Sequence, residues 1–196
     1  SSLDILVEAI KSKQPQDRIF AAQVIGAIGQ AQFSEHLAVL LDDQDTNVVD
    51  NAIIAAGGFS DEKTVTSLIK KLANPAHVGR AGTALQQQGE AALFDIERTL
   101  KNPEVERVVK RKSIEVLQEI HSSKSTDILL QHIEIPDPEL RHHIYMALAN
   151  LEYQASDDDR YKFVNTLTEE VEAVTYLLAS MEDIWGVEGL ETIHSA

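Results

Sequence analysis

The chain has 196 residues, 43% of them hydrophobic and 25% charged, which is the balance of an ordinary water-soluble globular chain and leaves no room for a disordered-tail or collagen reading. A formal net charge of −15 repels phosphodiester backbones and anionic lipid headgroups, so nucleic acid is not an expected partner. Cysteine is absent, which excludes thiolate nucleophiles, disulfides and Cys-ligated zinc. No apolar run approaches the roughly 18–20 residues that span a bilayer, and no charged-then-apolar leader opens the sequence. The expectation is a cytoplasmic fragment that does not itself insert into a membrane.

From Leu3 to Leu151 one unit recurs five times, a helix followed by a second helix rich in small residues. The first helices carry apolar pairs four apart, which share one helical face: Leu6/Ile10, Leu37/Leu41, Leu68/Leu72, Ile96/Leu100 and Leu129/Ile133. Each second helix has an apolar or small anchor, at Ile25, Ala56, Leu85, Leu117 and Leu148, and successive anchors lie 29 to 32 residues apart. From the end of each pair to its anchor is 15 residues in copies 1, 2 and 5, 13 in copy 3 and 17 in copy 4. Turn and cap residues separate the helices: Pro15-Gln16-Asp17, Asp42 to Asp45, Asn74-Pro75, Asn102-Pro103 and Pro136-Asp137-Pro138. Glycines 26, 29, 57, 58 and 82 each cost up to about 1 kcal/mol against alanine in an exposed helix interior, and close helix packing is the expected offset. A lone helical hairpin cannot cover both sides of its apolar stripe. The prediction is therefore an all-α fold, an α-solenoid of about five stacked hairpins over residues 1–155.

Asp17 to Gly29, with the run Ile19-Phe20-Ala21-Ala22-Gln23-Val24-Ile25-Gly26, resembles the second helix of a HEAT-like repeat of the phycobilisome-lyase type, and Leu140 to Leu151 resembles it again. Arg18 and Arg141 match the recurrent arginine in the first turn of that helix. Val49, Val78 and Lys110 replace it in the middle copies, where the Asp–Arg ladder implied by the resemblance is interrupted.

Residues 152–196 contain 11 acids and two bases. Asp157-Asp158-Asp159 suits a helix start, because acids sit well at the positive end of the dipole. Phe163, Leu167, Val171, Val174, Leu177, Leu178 and Met181 then recur at helical spacing, which predicts an amphipathic helix of about 25 residues ending near Trp185. Residues 156–196 are expected to form an acidic capping helix that covers the fifth hairpin, followed by a cut-off connection to a larger parent protein. Glu170-Val171-Glu172-Ala173 with Tyr176 to Ile184 resembles the segment after HEAT-like repeats in bacterial ATP/ADP translocase-like carriers of the major-facilitator type. That resemblance implies the soluble domain of a membrane transporter; a stand-alone adaptor is the alternative, with a lyase-type or metal-dependent enzyme behind it.

Catalytic and cofactor signals are missing. There is no nucleophile elbow, no P-loop and no dinucleotide fingerprint, and Gly79-Arg80-Ala81-Gly82 lacks the strand that would give it meaning. Asp43, Asp45, Asn47 and Asp50 depart from a calcium loop, with Val48 and Ile54 where Gly and Glu are needed, so turn and cap duty is expected. The seven histidines are scattered without a His-Glu dipeptide. No catalytic residue, cofactor or metal is assigned, and the expected partner is a protein or another domain of the parent chain.

Registering the copies puts one row of the second helices on the inner, concave face: Ile19, Gln23, Asp50, Ile54, Thr83, Gln87, Arg111, Glu115, His142 and Met146. Ile19, Ile54 and Met146 are its large apolar members and the expected contacts. Arg107, Lys110, Arg111 and Lys112 form the one dense basic cluster, a candidate anion site whose simpler reading is local pairing such as Glu106 with Lys110.

Overall fold

A computed structural model describes residues 2–185, and every regular element among them is helical. The helices come in five pairs: α1 (Ser2–Ile10) with α2 (Pro15–Ile28), α3 (Ser34–Leu41) with α4 (Thr46–Ala56), α5 (Glu62–Lys71) with α6 (Val78–Gln88), α7 (Leu93–Lys101) with α8 (Arg107–Ile120), and α9 (Ser123–Gln131) with α10 (Pro138–Asn150). A single long helix, α11 (Asp157–Trp185), follows. The chain divides into two compact units, one ending at Tyr153 and the other beginning at Gln154. Within the first unit α2, α4, α6, α8 and α10 pack in succession, and the first helices form a lighter parallel row beside them. This is the α-solenoid arrangement that the repeat demands, because each hairpin covers the apolar flank of the next.

All five anchors and all ten members of the apolar pairs are buried. Leu72 and Ile133 stay in the core although they lie just past the last residues of α5 and α9, so the apolar period outlasts the helical hydrogen bonding. Cap chemistry fixes where the helices begin. The Asp45 carboxylate accepts the amides of Asn47 and Val48, Asp61 accepts that of Thr64, and Asp137 accepts those of Glu139 and Leu140. Ser122 and Ser125 form a reciprocal capping box at α9. Gly29 ends α2 in the left-handed region at φ 62°, where a side chain would be strained. Gly26 serves a different purpose: a Cβ there would stand 2.9 Å from Ala55 Cβ, so the missing side chain lets α2 approach α4.

Polar links join every pair of neighbouring repeats. Arg18 binds Asp43 of the next repeat through two bonds of 2.6 and 2.9 Å and donates to the Ser12 carbonyl at 2.8 Å. Arg141 makes the matching bond to a carbonyl six residues back, at Ile135, at 2.6 Å. Where the middle copies lack this arginine, other groups bridge the repeats: Lys71 to Asp42 at 3.0 Å, His77 to Asp50 at 2.9 Å, Arg98 to Glu62 at 2.7 Å and Arg107 to Asp137 at 2.6 Å. The ladder is thus interrupted in register but not in function.

Asp43 is held below the usual carboxylate range, first by the Arg18 hydrogen bond working against burial, then by the amides of Asp45 and Gln44. A depressed folded-state pKa gives stability that is present above the unfolded value near 3.8 and is lost as pH falls through the folded one. Asp137 has the same sign, burial being outweighed by the Leu140 amide and Arg107, whereas burial pushes Asp95 up against Arg98. Asp43→Asn should cost about 1.5–3 kcal/mol near neutral pH, the range for a hydrogen bond to a charged group. The melting-temperature gap to wild type should hold from about pH 7 to 5 and narrow below about pH 4; a gap independent of pH would assign the loss to packing.

In the second unit, Asp157, Asp158 and Asp159 occupy the first turn of α11, and Ser156 and Asp159 cap each other, with the Asp159 amide 3.2 Å from Ser156 Oγ and the Ser156 amide 3.3 Å from the Asp159 carboxylate. The expected long helix is present, with Leu167, Val171, Val174, Leu177 and Leu178 exposed along it. The expected connection over residues 186–196 lies outside the described residues.

Candidate functional site: the second-helix ridge and the edge of the fourth repeat

Small residues on the second helices leave shallow grooves between them. One of about 330 Å³ lies between α2 and α4, lined by Gln23, Gly26, Ala27, Asn51, Ile54 and Gly58. The next, about 360 Å³ between α4 and α6, takes Ile54 again with Gly79, Arg80, Thr83 and Gln87. A third, about 260 Å³, runs between α6 and α8 past Thr83, Gln86, Lys112, Glu115 and Glu119. Ile54 therefore stands between two grooves, 63% exposed. The lining of the first groove is small and neutral, the second adds Arg80 and the third Lys112, Glu115 and Glu119, with Gln23 donating to Asn51 at 3.0 Å and Gln86 to the Glu119 carbonyl at 3.3 Å.

The rest of the predicted row divides by position. Met146 is 48% exposed on α10, with His142 one turn before it and edge-on to His143. Ile19, expected as an exposed contact, is half-buried instead. Asp50 is committed to His77 at 2.9 Å and Arg80 at 3.5 Å, and Glu115 is held by Lys112 at 2.6 Å and approached by Arg111 at 4.0 Å. Gln23, Ile54, Thr83, Gln87, His142 and Met146 are the members that stay exposed. Sequence reasoning missed Phe20, 60% exposed on α2, whose place in an all-round apolar run hides which side faces water.

The basic cluster does not present one surface. Arg107 reaches across to Asp137 at 2.6 Å and Glu139 at 3.1 Å, and these partners raise its pKa. Lys112 and Arg111 turn to Glu115. The expected Glu106–Lys110 pair does not form, because Glu106 is the extended N-cap residue of α8, at ψ 141°, and so lies off the helical face that i,i+4 pairing needs. Lys110 makes no ion pair among the described residues and lines a cavity of about 620 Å³ between the α7–α8 and α9–α10 loops. In the acidic loop, Asp43 is taken by Arg18 and Asp45 caps α4, the turn and cap duty expected of them.

Residues 3–87, which span the first three helix pairs, match HEAT repeats. No curated protein matches the chain. Among solved structures it is similar to an engineered protein from a structural genomics consortium, at 19% identity and a TM-score of 0.46 over 92% of this chain and 90% of that one. It is also similar to human deoxyhypusine hydroxylase in complex with glycerol, at 14% identity and a TM-score of 0.33 over 76% of this chain and 84% of that one.

Proposed function

We propose that this HEAT-like repeat chain is a non-catalytic, cytoplasmic scaffold that docks a protein partner along its second-helix ridge. The observation that carries the reading is the run of adjoining grooves with an exposed isoleucine between the first two. An exposed isoleucine between grooves lined largely by small residues offers desolvation energy at little steric cost, the character of an interface core. The test uses variant pairs matched in exposure. Ile54→Asp should abolish recovery of the partner from cells and leave the melting temperature unchanged, because Ile54 touches solvent already; Val39→Asp, at a first-helix site of similar exposure, should leave recovery intact. Equal effects from both would end the ridge reading.

Two finer proposals concern what the scaffold belongs to. Residues 170–184 support a place in an ATP/ADP translocase-like carrier through their resemblance to the segment after such repeats. No helix among the described residues is long and apolar enough to cross a membrane, so this reading requires about a dozen apolar spans encoded beside the chain, and a gene without them would refute it. The acidic 156–196 segment is proposed as the cap of the repeats, supported by its helical apolar period; a chain ending at Gln154 that melts with the full chain would refute that role.

A further inference from the structure

We propose that the cavity at the edge of the fourth and fifth repeats binds a carboxylate carried on a short aliphatic group, at a rung of the inter-repeat ladder that the chain leaves vacant. This goes beyond the ridge reading and does not depend on it, since the cavity lies on the loop edge. The argument starts from register. Arg18 lies seven residues before its anchor Ile25, and its partner Asp43 lies thirteen before the next anchor, Ala56. Seven before Leu117 is Lys110, and thirteen before Leu148 is Ile135. Repeat 4 therefore keeps the cation while repeat 5 has lost the acid. The rung from Val49 has Leu72 opposite it and carries no charge, while the rung from Val78 keeps an acid, Glu104, without a cation, so Lys110 is the cation of an inter-repeat rung whose acid is missing.

Both residues of the vacant rung line the cavity. The α7–α8 loop, residues 102–106, forms one wall through Pro103 and Val105. Leu100, Val105, Ile135 and Leu140 supply an apolar lining. The remaining charges do not satisfy Lys110. Arg107 holds Asp137 and Glu139, Lys101 pairs with Glu97, and Glu134, at the exposed rim, makes no pair with Lys110. His132, 8% exposed, also lines the space. Its Nδ1 lies 2.8 Å from the Ile128 carbonyl, which holds the ring in place as part of the wall. The walls are braced: Arg141 donates to the Ile135 carbonyl at 2.6 Å and the Ile135 amide to the His132 carbonyl at 3.1 Å. The site is thus preformed for the group that Asp43 supplies to Arg18, with an apolar lining for the chain that carries it. The net charge of −15 repels a polyanion, so the fit is to a single carboxylate and not to an acidic tract.

Two sources share this chemistry, a free aliphatic acid and an Asp or Glu side chain flanked by aliphatic residues in a peptide. Amide chemical-shift titrations of the full chain separate them, with isovalerate as one probe and acetyl-Leu-Asp-Leu-amide as the other, and isovaleramide and the Asn peptide as uncharged controls. Saturable shifts confined to residues 100–107 and 131–141 are expected from the acids and not from the controls, with a dissociation constant on the order of 1 mM. Peptide binding about tenfold tighter than isovalerate assigns a partner's side chain; equal affinities assign a free acid. Lys110→Gln should abolish the shifts. Ile135→Asp should abolish them too, by restoring the internal rung, without lowering the melting temperature. Absence of saturable shifts with either acid, or shifts that survive Lys110→Gln, would overturn the proposal.

Discussion

Leu117→Ala should destabilise the repeats by roughly 2–5 kcal/mol, the range for deleting a fully buried leucine and leaving a cavity. The size follows from position: Leu117 has no exposed surface and sits on α8, which packs against α6 and α10 along the row and against α7 and α9 beside it. Neighbours held on several sides cannot collapse into the space. Two residues earlier on the same helix, Glu115 faces outward with its carboxylate shared between Lys112 and Arg111. Glu115→Ala should therefore cost under about 0.5 kcal/mol, the usual range for a surface change. Urea melts of the two variants give the comparison, and equal losses would mean that the inward and outward faces of α8 are misassigned.

Gly26→Val should cost about 1–3 kcal/mol through overpacking, because its first added carbon already falls 2.9 Å from Ala55 Cβ and 3.0 Å from Ala55 Cα. The blocking atoms belong to the backbone and its first carbon, so no flexible side chain can swing aside. The α2–α4 contact is the most extensive between any two helices, and one helix must move off the other. Gly26→Ala sets a clash against a helix-propensity gain of up to about 1 kcal/mol, so Gly26→Ala with Ala55→Gly should be more stable than Gly26→Ala alone. Additive effects in that double-mutant cycle would show that the two positions do not meet. Gly57 is a useful contrast: an added carbon there meets chiefly the Gln87 side-chain amide, the far end of a flexible chain.

The pattern of predictability has a physical cause. The buried pairs, the anchors and the caps at Asp45 and Asp137 were legible because helical period and capping are local properties, read within a few residues. The charge pairs were not, because they join residues about 25 to 36 apart across stacked repeats. Their partners depend on how far each hairpin turns on its neighbour, and loop length alters that turn. Ile19, expected as an exposed contact, is half-buried, since register gives a direction and not the depth of cover. The unpaired Lys110 and its cavity were hidden for the same reason: the sequence shows a basic cluster, and only the paths of Arg107 and Lys112 show which cation is left over.

The central claim is that one face of the repeats, the second-helix ridge, meets the partner. Photo-crosslinking amino acids placed singly at Gln23, Ile54, Gln87 and Met146, and at Val39 and Phe94 on first helices, test it inside cells whatever the partner's identity. All six side chains are exposed, so reach to solvent does not bias the comparison. The account predicts one crosslinked product of common mass from the four ridge positions and none from the two controls. Crosslinks of equal yield at Val39 and Phe94, or at those two alone, would contradict it.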